Sequence, residues 1–111
     1  MKNEIYIINK ITGEKVLSPL PFMVAENDLP GYVTWNKATN SSETMGEGWR
    51  LPTENEIEMM YEFKIILGLD KRGYWTNSES AAMAYSKSFK WYLPSRFVVK
   101  FSTCGARFVK G

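Results

Sequence analysis

The spacing of hydrophobic positions separates a helical segment near the middle of the chain from extended segments on either side. Apolar residues from 54 to 67 recur at helical spacing: Ile57, Met60, Tyr61 and Ile65, joined by Phe63, Ile66 and Leu67. This pattern predicts the main helix, over roughly 54–67. Gly68 follows it, and a glycine at this position can end a helix in the left-handed conformation.

The extended segments are short and rich in β-branched and aromatic residues. Residues 4–8 and 11–16, with a Thr-Gly pair in the second, predict an N-terminal hairpin. The proline-containing segment 17–32 is incompatible with a regular helix or a central strand, so we expect an ordered connector. Four later segments alternate in part and predict a meander of three or four antiparallel strands: 73–80, 81–89, 95–102 and 105–110.

Two helix starts can be assigned from side-chain chemistry. Thr34 is a suitable N-cap for a short helix in which Trp35 and Ala38 share one face. Thr53 and Glu56 form the spacing of a capping box at the start of the main helix. The order of elements predicts one α+β domain over residues 1–111, with two helices packed on an antiparallel sheet.

Composition narrows the function classes. The 14 Lys and Arg against 12 Asp and Glu give a net charge of +2, which is too small to indicate a nucleic acid or an anionic membrane as partner. No segment has the ~20 apolar residues that a membrane-spanning helix needs, so we expect no membrane insertion. The N-terminus lacks the pattern of a secretory signal, so we expect synthesis in the cytoplasm, with the final location open and association with a virion one alternative.

Histidine is absent and Cys104 is the single cysteine. A metal site built from several Cys and His is therefore excluded, and a Ser or Cys nucleophile would lack its usual base. Acids in the first turn of the main helix are explained by the helix dipole. We expect a non-enzymatic protein with no catalytic residue, no metal ligand and no cofactor.

Five stretches in order carry a family resemblance: "TWNKA" (34–38), "GWRLPTENEIE" (48–58), "YWTNSES" (74–80), "AMAYSKSF" (82–89) and "ARFVKG" (106–111). Together they resemble the C-type-lectin-like domains of bacteria and phages, of the type found at the C-terminus of collagen-like surface adhesins. The resemblance implies the C-type lectin-like fold, with paired N- and C-terminal strands. It also implies a binding module for a glycan, a mucin or a surface protein, as in adhesion or receptor binding.

Departures from related lectins refine this expectation. The calcium-binding strings Glu-Pro-Asn, Gln-Pro-Asp and Trp-Asn-Asp are absent, so we expect calcium-independent binding. The paired cysteines of the formylglycine-generating enzymes are absent as well. A structural or assembly protein of a phage virion, using the fold for protein–protein contact, is the alternative. The oligomeric state is open, and a homo-oligomer would increase avidity.

The stretch at 48–58 has two interpretations. Trp49 and Arg50 either form a ligand site or help to build the fold, and the capping residues beside them favour the fold. Trp35 and Trp75 are interpreted in the same way.

The best candidate for recognition is residues 86–97, where basic side chains surround two aromatic ones. The candidate ligand-binding residues are Lys87, Lys90, Trp91, Tyr92 and Arg96. The aromatic rings would stack on a sugar or peptide ring, and the cations would pair with sulfate, sialate or carboxylate. In the alternative interpretation, Trp91 and Tyr92 only pack a strand junction.

Overall fold

The computed structural model describes residues 4–90 and 94–111, in which three helices combine with antiparallel strands. The elements in chain order are β1 (Tyr6–Ile8), β2 (Lys15–Leu17), β3 (Met23–Val24), α1 (Trp35–Ser42), a 3₁₀ turn (Glu43–Met45), α2 (Glu54–Glu62), α3 (Lys64–Leu67), β4 (Gly73–Ser80), β5 (Met83–Ser88), β6 (Arg96–Val99) and β7 (Val109–Lys110). The predicted α+β class is confirmed.

Both predicted helix starts are confirmed. The Thr34 hydroxyl accepts a hydrogen bond from the backbone N–H of Lys37 at 3.3 Å. At the second start, the Thr53 hydroxyl accepts from the Glu56 N–H at 3.1 Å, and the Glu56 carboxylate accepts from the Thr53 N–H at 2.8 Å. The capping box therefore satisfies two N–H groups that the helix itself cannot pair.

The predicted main helix is interrupted at Phe63. This residue has φ −116° and ψ 26°, outside the helical region, and it separates α2 from the single turn of α3. The interruption changes which side chains face the core: Ile65 is 65% exposed, whereas Leu67 is 2% exposed. The prediction of one uninterrupted helix over roughly 54–67 is therefore wrong. Gly68 ends α3 in the left-handed conformation, as predicted, with φ 69°.

Strand pairing confirms the hairpin and most of the meander. β1 pairs with β2, and β4, β5 and β6 form an antiparallel sheet in that order. The prediction is wrong for 105–110, because β7 pairs with β3 in the connector. The expected pairing of N- and C-terminal strands is likewise wrong for β1, whose partner is β2. Val109 lies between Val24 of β3 and Arg50, with which it exchanges two backbone hydrogen bonds.

Successive residues of β4 face two different hydrophobic clusters. Tyr74 packs with Ile57, Met60 and Leu67 of the helices, and the next residue, Trp75, packs in a second cluster. This alternation follows from the two-residue period of a strand. Both residues are fully buried, so β4 is the centre of the fold.

The tryptophans described here support the structural interpretation of their motifs. The Trp35 indole N–H donates to the Thr76 carbonyl at 2.9 Å, and the Trp75 indole N–H donates to the Val33 carbonyl at 2.7 Å. Both rings are buried. Trp49 is partly buried and packs against the second cluster.

An ion pair between a buried arginine and a largely buried aspartate links the connector to the C-terminal segment. Arg107, 2% exposed, donates to the Asp28 carboxylate at 2.8 Å and to the carbonyls of Ala25, Leu67 and Gly68 at 2.8–3.2 Å. The Tyr74 hydroxyl donates to the other Asp28 oxygen at 2.8 Å. One guanidinium thus holds together three segments that are distant in sequence.

Arg50 has the structural role predicted for it. Its guanidinium donates to both Glu56 oxygens, at 2.7 and 2.8 Å, and to the carbonyls of Leu51 and Gly111. Hydrogen bonding to Arg50 is the main cause that lowers the pKa of Glu56 below its usual range. The stretch 48–58 therefore connects the capped helix to the C-terminus.

We expect Glu56→Gln to destabilise the fold in a pH-dependent way. Because the pKa of Glu56 is lower in the folded protein than in the unfolded chain, its stabilising effect is complete above the unfolded value and disappears as pH falls through the folded value. At neutral pH the variant should lose about 1–2 kcal/mol of unfolding free energy. Urea titrations from neutral to acidic pH should show that the difference in unfolding free energy between the variant and the wild type decreases. Glu62→Gln, an exposed change in the same helix, is the control, and a difference independent of pH would contradict the assignment.

Candidate functional site

A cleft of about 190 Å³ lies where β4 begins, β5 ends and β6 passes beside them. Its lining includes Tyr32, Arg72, Ser86, Ser88, Arg96 and Thr103, and we call it the arginine cleft. Ser86 and Ser88 share a face of β5 because they are two residues apart, and Arg96 is the cross-strand partner of Ser86. The cleft is therefore a consequence of strand register.

The charge of the arginine cleft is positive. No Asp or Glu belongs to its described lining. Among residues 4–90 and 94–111, neither Arg72 nor Arg96 has a carboxylate within ion-pair distance. Both side chains are exposed. Two guanidinium groups are thus available to an anionic ligand.

Tyr32 gives the cleft an aromatic wall beside Arg72. Its ring centroid is 5.6 Å from the Arg72 guanidinium carbon, and its hydroxyl accepts from the Arg72 backbone N–H at 3.2 Å. The ring is 41% exposed, so one face of a ligand can contact it. An aromatic ring beside a planar cation suits a sugar that carries an acidic group.

Cys104 also lines the arginine cleft. Its thiol donates to the Ser86 hydroxyl at 3.2 Å. Burial is the main cause that raises the pKa of the Cys104 thiol above its ordinary value, so the group is protonated at neutral pH. A protonated thiol is a poor nucleophile, and its neighbour Ser86 is not a base. The pair therefore supplies polar contacts to the cleft.

The structure places the five predicted site residues in different surroundings. Arg96 lines the arginine cleft, and Lys90 lines a second cleft beside α3. Lys87 lies on the opposite face of the sheet, with its ammonium 2.6 Å from the Glu58 carboxylate and 4.8 Å from the Tyr61 ring centroid. Trp91 and Tyr92 lie outside the described residues, so their ligand-binding role stays a prediction.

Sequence reasoning missed Tyr32 and Arg72. They are 40 residues apart, and the hydrogen bond that joins them in the fold cannot be predicted from a local sequence pattern. The one usable signal was the basic pair Lys71–Arg72 directly before a predicted strand. Ser86 and Ser88 fell within the predicted recognition segment but were not assigned a role.

Two further properties concern the whole described chain. Residues 4–90 and 94–111 contain no group of three or more His, Cys, Asp or Glu side chains arranged to hold a metal ion. In the same residues, every helix is too short or too polar to cross a bilayer.

No known family model matches the chain, and no curated protein matches it.

Proposed function

We propose that this protein is a non-catalytic, calcium-independent binding module for acidic glycans, and that the arginine cleft holds the acidic group. The observation that carries the proposal is the pair of exposed guanidinium groups, Arg72 and Arg96, on a cleft whose described lining has no carboxylate. A planar guanidinium can donate two parallel hydrogen bonds to a carboxylate or a sulfate. An uncharged ligand would form weaker hydrogen bonds with these two guanidinium groups than a carboxylate or a sulfate would.

The other groups of the cleft suit a sugar ring. The hydroxyls of Ser86 and Thr103 can donate to and accept from sugar hydroxyls, and Tyr32 offers an aromatic face. The Ser88 hydroxyl already donates to the Lys90 carbonyl at 3.0 Å, so it can serve a ligand only as an acceptor. Recognition of this kind needs few charged contacts, each worth about 1.5–3 kcal/mol. One cleft would therefore bind with modest affinity, and several copies would raise the avidity.

We propose the C-type lectin-like fold for the same domain. Support comes from the five motifs in order. It also comes from the pairing of β7 with β3, which brings the C-terminal strand beside the connector in the first quarter of the chain. The capping box and the buried Trp35 and Trp75 account physically for three of the motifs.

An assembly role is the second candidate, and exposed apolar side chains favour it. Phe101 is 81% exposed, and Phe97 and Met83 on adjacent strands are 41% and 36% exposed. Aromatic residues and methionine are common at protein interfaces. If the protein acts only through this surface, it will bind no glycan.

A glycan array probed with and without EDTA tests the proposal. We expect binding to sialylated or sulfated glycans, unchanged by EDTA and absent for the neutral parent sugars. Arg72→Ala and Arg96→Ala should each weaken binding about tenfold or more, because each removes a charge-assisted contact of about 1.5–3 kcal/mol. Lys37→Ala removes an exposed cation on α1 and is the matched control.

Three results would contradict the proposal. They are equal binding of neutral and acidic glycans, loss of binding in EDTA, and full binding by both arginine variants. Arg72 and Arg96 are exposed, so their replacement should change stability by no more than about 0.5 kcal/mol, and thermal melts would verify this.

A further inference from the structure

A second cleft, of about 270 Å³, lies beside α3. We call it the lysine cleft, and its charged lining residues are Lys64, Lys71, Lys90 and Asp70. Lys64 interacts with a neutral group, since its ammonium donates to the Tyr61 hydroxyl at 3.1 Å. Lys71 is 3.6 Å from the Asp28 carboxylate, which Arg107 already neutralises at 2.8 Å. The lysine cleft therefore has an excess of positive charge.

The two clefts are separated by a thin wall of backbone. Lys71 lines the lysine cleft, and the next residue, Arg72, lines the arginine cleft. On the neighbouring chain segment, Ser88 lines the arginine cleft and Phe89 lines the lysine cleft. The Phe89 N–H donates to the Arg72 carbonyl at 2.8 Å, so this wall is a single hydrogen-bonded pair of residues where β4 begins and β5 ends.

Basic side chains are concentrated around this end of the sheet. The described linings of the two clefts contain five of the chain's 14 Lys and Arg residues but only one of its 12 carboxylates, Asp70. The net charge of the whole chain is only +2, so the remainder of the molecule is close to neutral or acidic. A cluster of one sign within a near-neutral protein attracts a ligand with several opposite charges.

The geometry points to one ligand for both clefts: we propose that the protein binds a multiply charged polysaccharide, sulfated or rich in uronic acid, which crosses the end of the sheet and places acidic groups in both clefts. This inference rests on the proposed function. A terminal acidic sugar would occupy the arginine cleft alone and leave the lysines unused.

The linings favour a polysaccharide over a nucleic acid. Single-stranded nucleic acids are bound by stacking successive bases on exposed aromatic rings. In the described lysine cleft the one aromatic residue, Phe89, is 5% exposed and packs against Tyr61 and Tyr74. The described linings of the two clefts therefore offer one exposed ring, Tyr32 at 41%, rather than a series of stacking surfaces, whereas their lysine and arginine side chains suit sulfates and carboxylates on a flexible sugar chain.

Isothermal titration with heparin-derived oligosaccharides, from disaccharide to octasaccharide, tests the inference. For the wild type we expect affinity to rise with length by tenfold or more, until both clefts are occupied. The double variant Lys64→Ala/Lys90→Ala should lose that gain while keeping the affinity for the disaccharide. Arg72→Ala/Arg96→Ala should weaken binding of every length, and Lys37→Ala should match the wild type.

The two proposals fail in different ways. If the double lysine variant binds the octasaccharide as tightly as the wild type does, the shared ligand is refuted while the arginine cleft stands. If the double arginine variant also binds normally, the proposed function fails too. Tighter binding of a single-stranded oligonucleotide than of a sulfated oligosaccharide of equal charge would overturn the choice of a polysaccharide.

Discussion

Arg107→Ala is expected to remove about 3–5 kcal/mol from the free energy of unfolding, because the largely buried Asp28 carboxylate loses the cation bonded to it at 2.8 Å and keeps only Lys71 at 3.6 Å. The carbonyls of Ala25, Leu67 and Gly68 lose their donor as well. Domains of this size have about 5–15 kcal/mol in total, so the loss is a large fraction of the stability and should lower the melting temperature markedly. Urea or thermal unfolding followed by circular dichroism would measure the loss.

Arg72→Ala is the matched control for this experiment, since it removes an arginine that is exposed on the surface. Its stability should change by no more than about 0.5 kcal/mol. A second variant, Asp28→Asn, keeps the size of the side chain but leaves the Arg107 charge uncompensated, and it should also be strongly destabilised. A loss below about 1 kcal/mol for Arg107→Ala would refute the structural role of the ion pair.

Trp75→Ala is expected to cost about 3–5 kcal/mol, because the largest fully buried side chain of the described residues would be replaced by a cavity. The indole also donates to the Val33 carbonyl, which would lose its partner. Trp75→Phe keeps most of the apolar volume and should cost clearly less. Chemical denaturation of both variants would measure the difference, and equal, small losses would show that Trp75 is not a core residue.

Local chemistry predicted the helix starts well. The Thr34 and Thr53 caps act within a few residues, so their hydrogen bonds can be derived from spacing alone. The N-terminal hairpin and the strands β4, β5 and β6 could also be predicted locally, because their segments are short and separated by turn residues.

The failed predictions concerned features that the local sequence does not determine. Ile65 fits a helical pattern, but the interruption at Phe63 turns it outward, and nothing in the local sequence forces Phe63 out of the helical region. The partner of β7 was mistaken because Val109 pairs with Val24 of a proline-flanked segment that appeared unsuited to a strand. β3 and β7 have only two residues each, which is too short to show an alternating hydrophobic pattern in the sequence.

The candidate site was predictable only in part. Arg96 and Lys90 were identified because aromatic and basic residues cluster in 86–97. Arg72 and Tyr32 could not be found in this way, because the contact between them depends on how the connector folds over the start of β4. Lys87 has the right charge, but strand alternation places it on the helix face beside Glu58.

An NMR titration of the ¹⁵N-labelled protein with 3′-sialyllactose tests whether the arginine cleft binds an acidic sugar. We predict that amide shifts concentrate at Arg72, Gly73, Ser86, Ser88 and Thr103, and that lactose, which lacks the carboxylate, leaves them unchanged. Shifts confined to other surfaces, or equal shifts with lactose, would contradict the account.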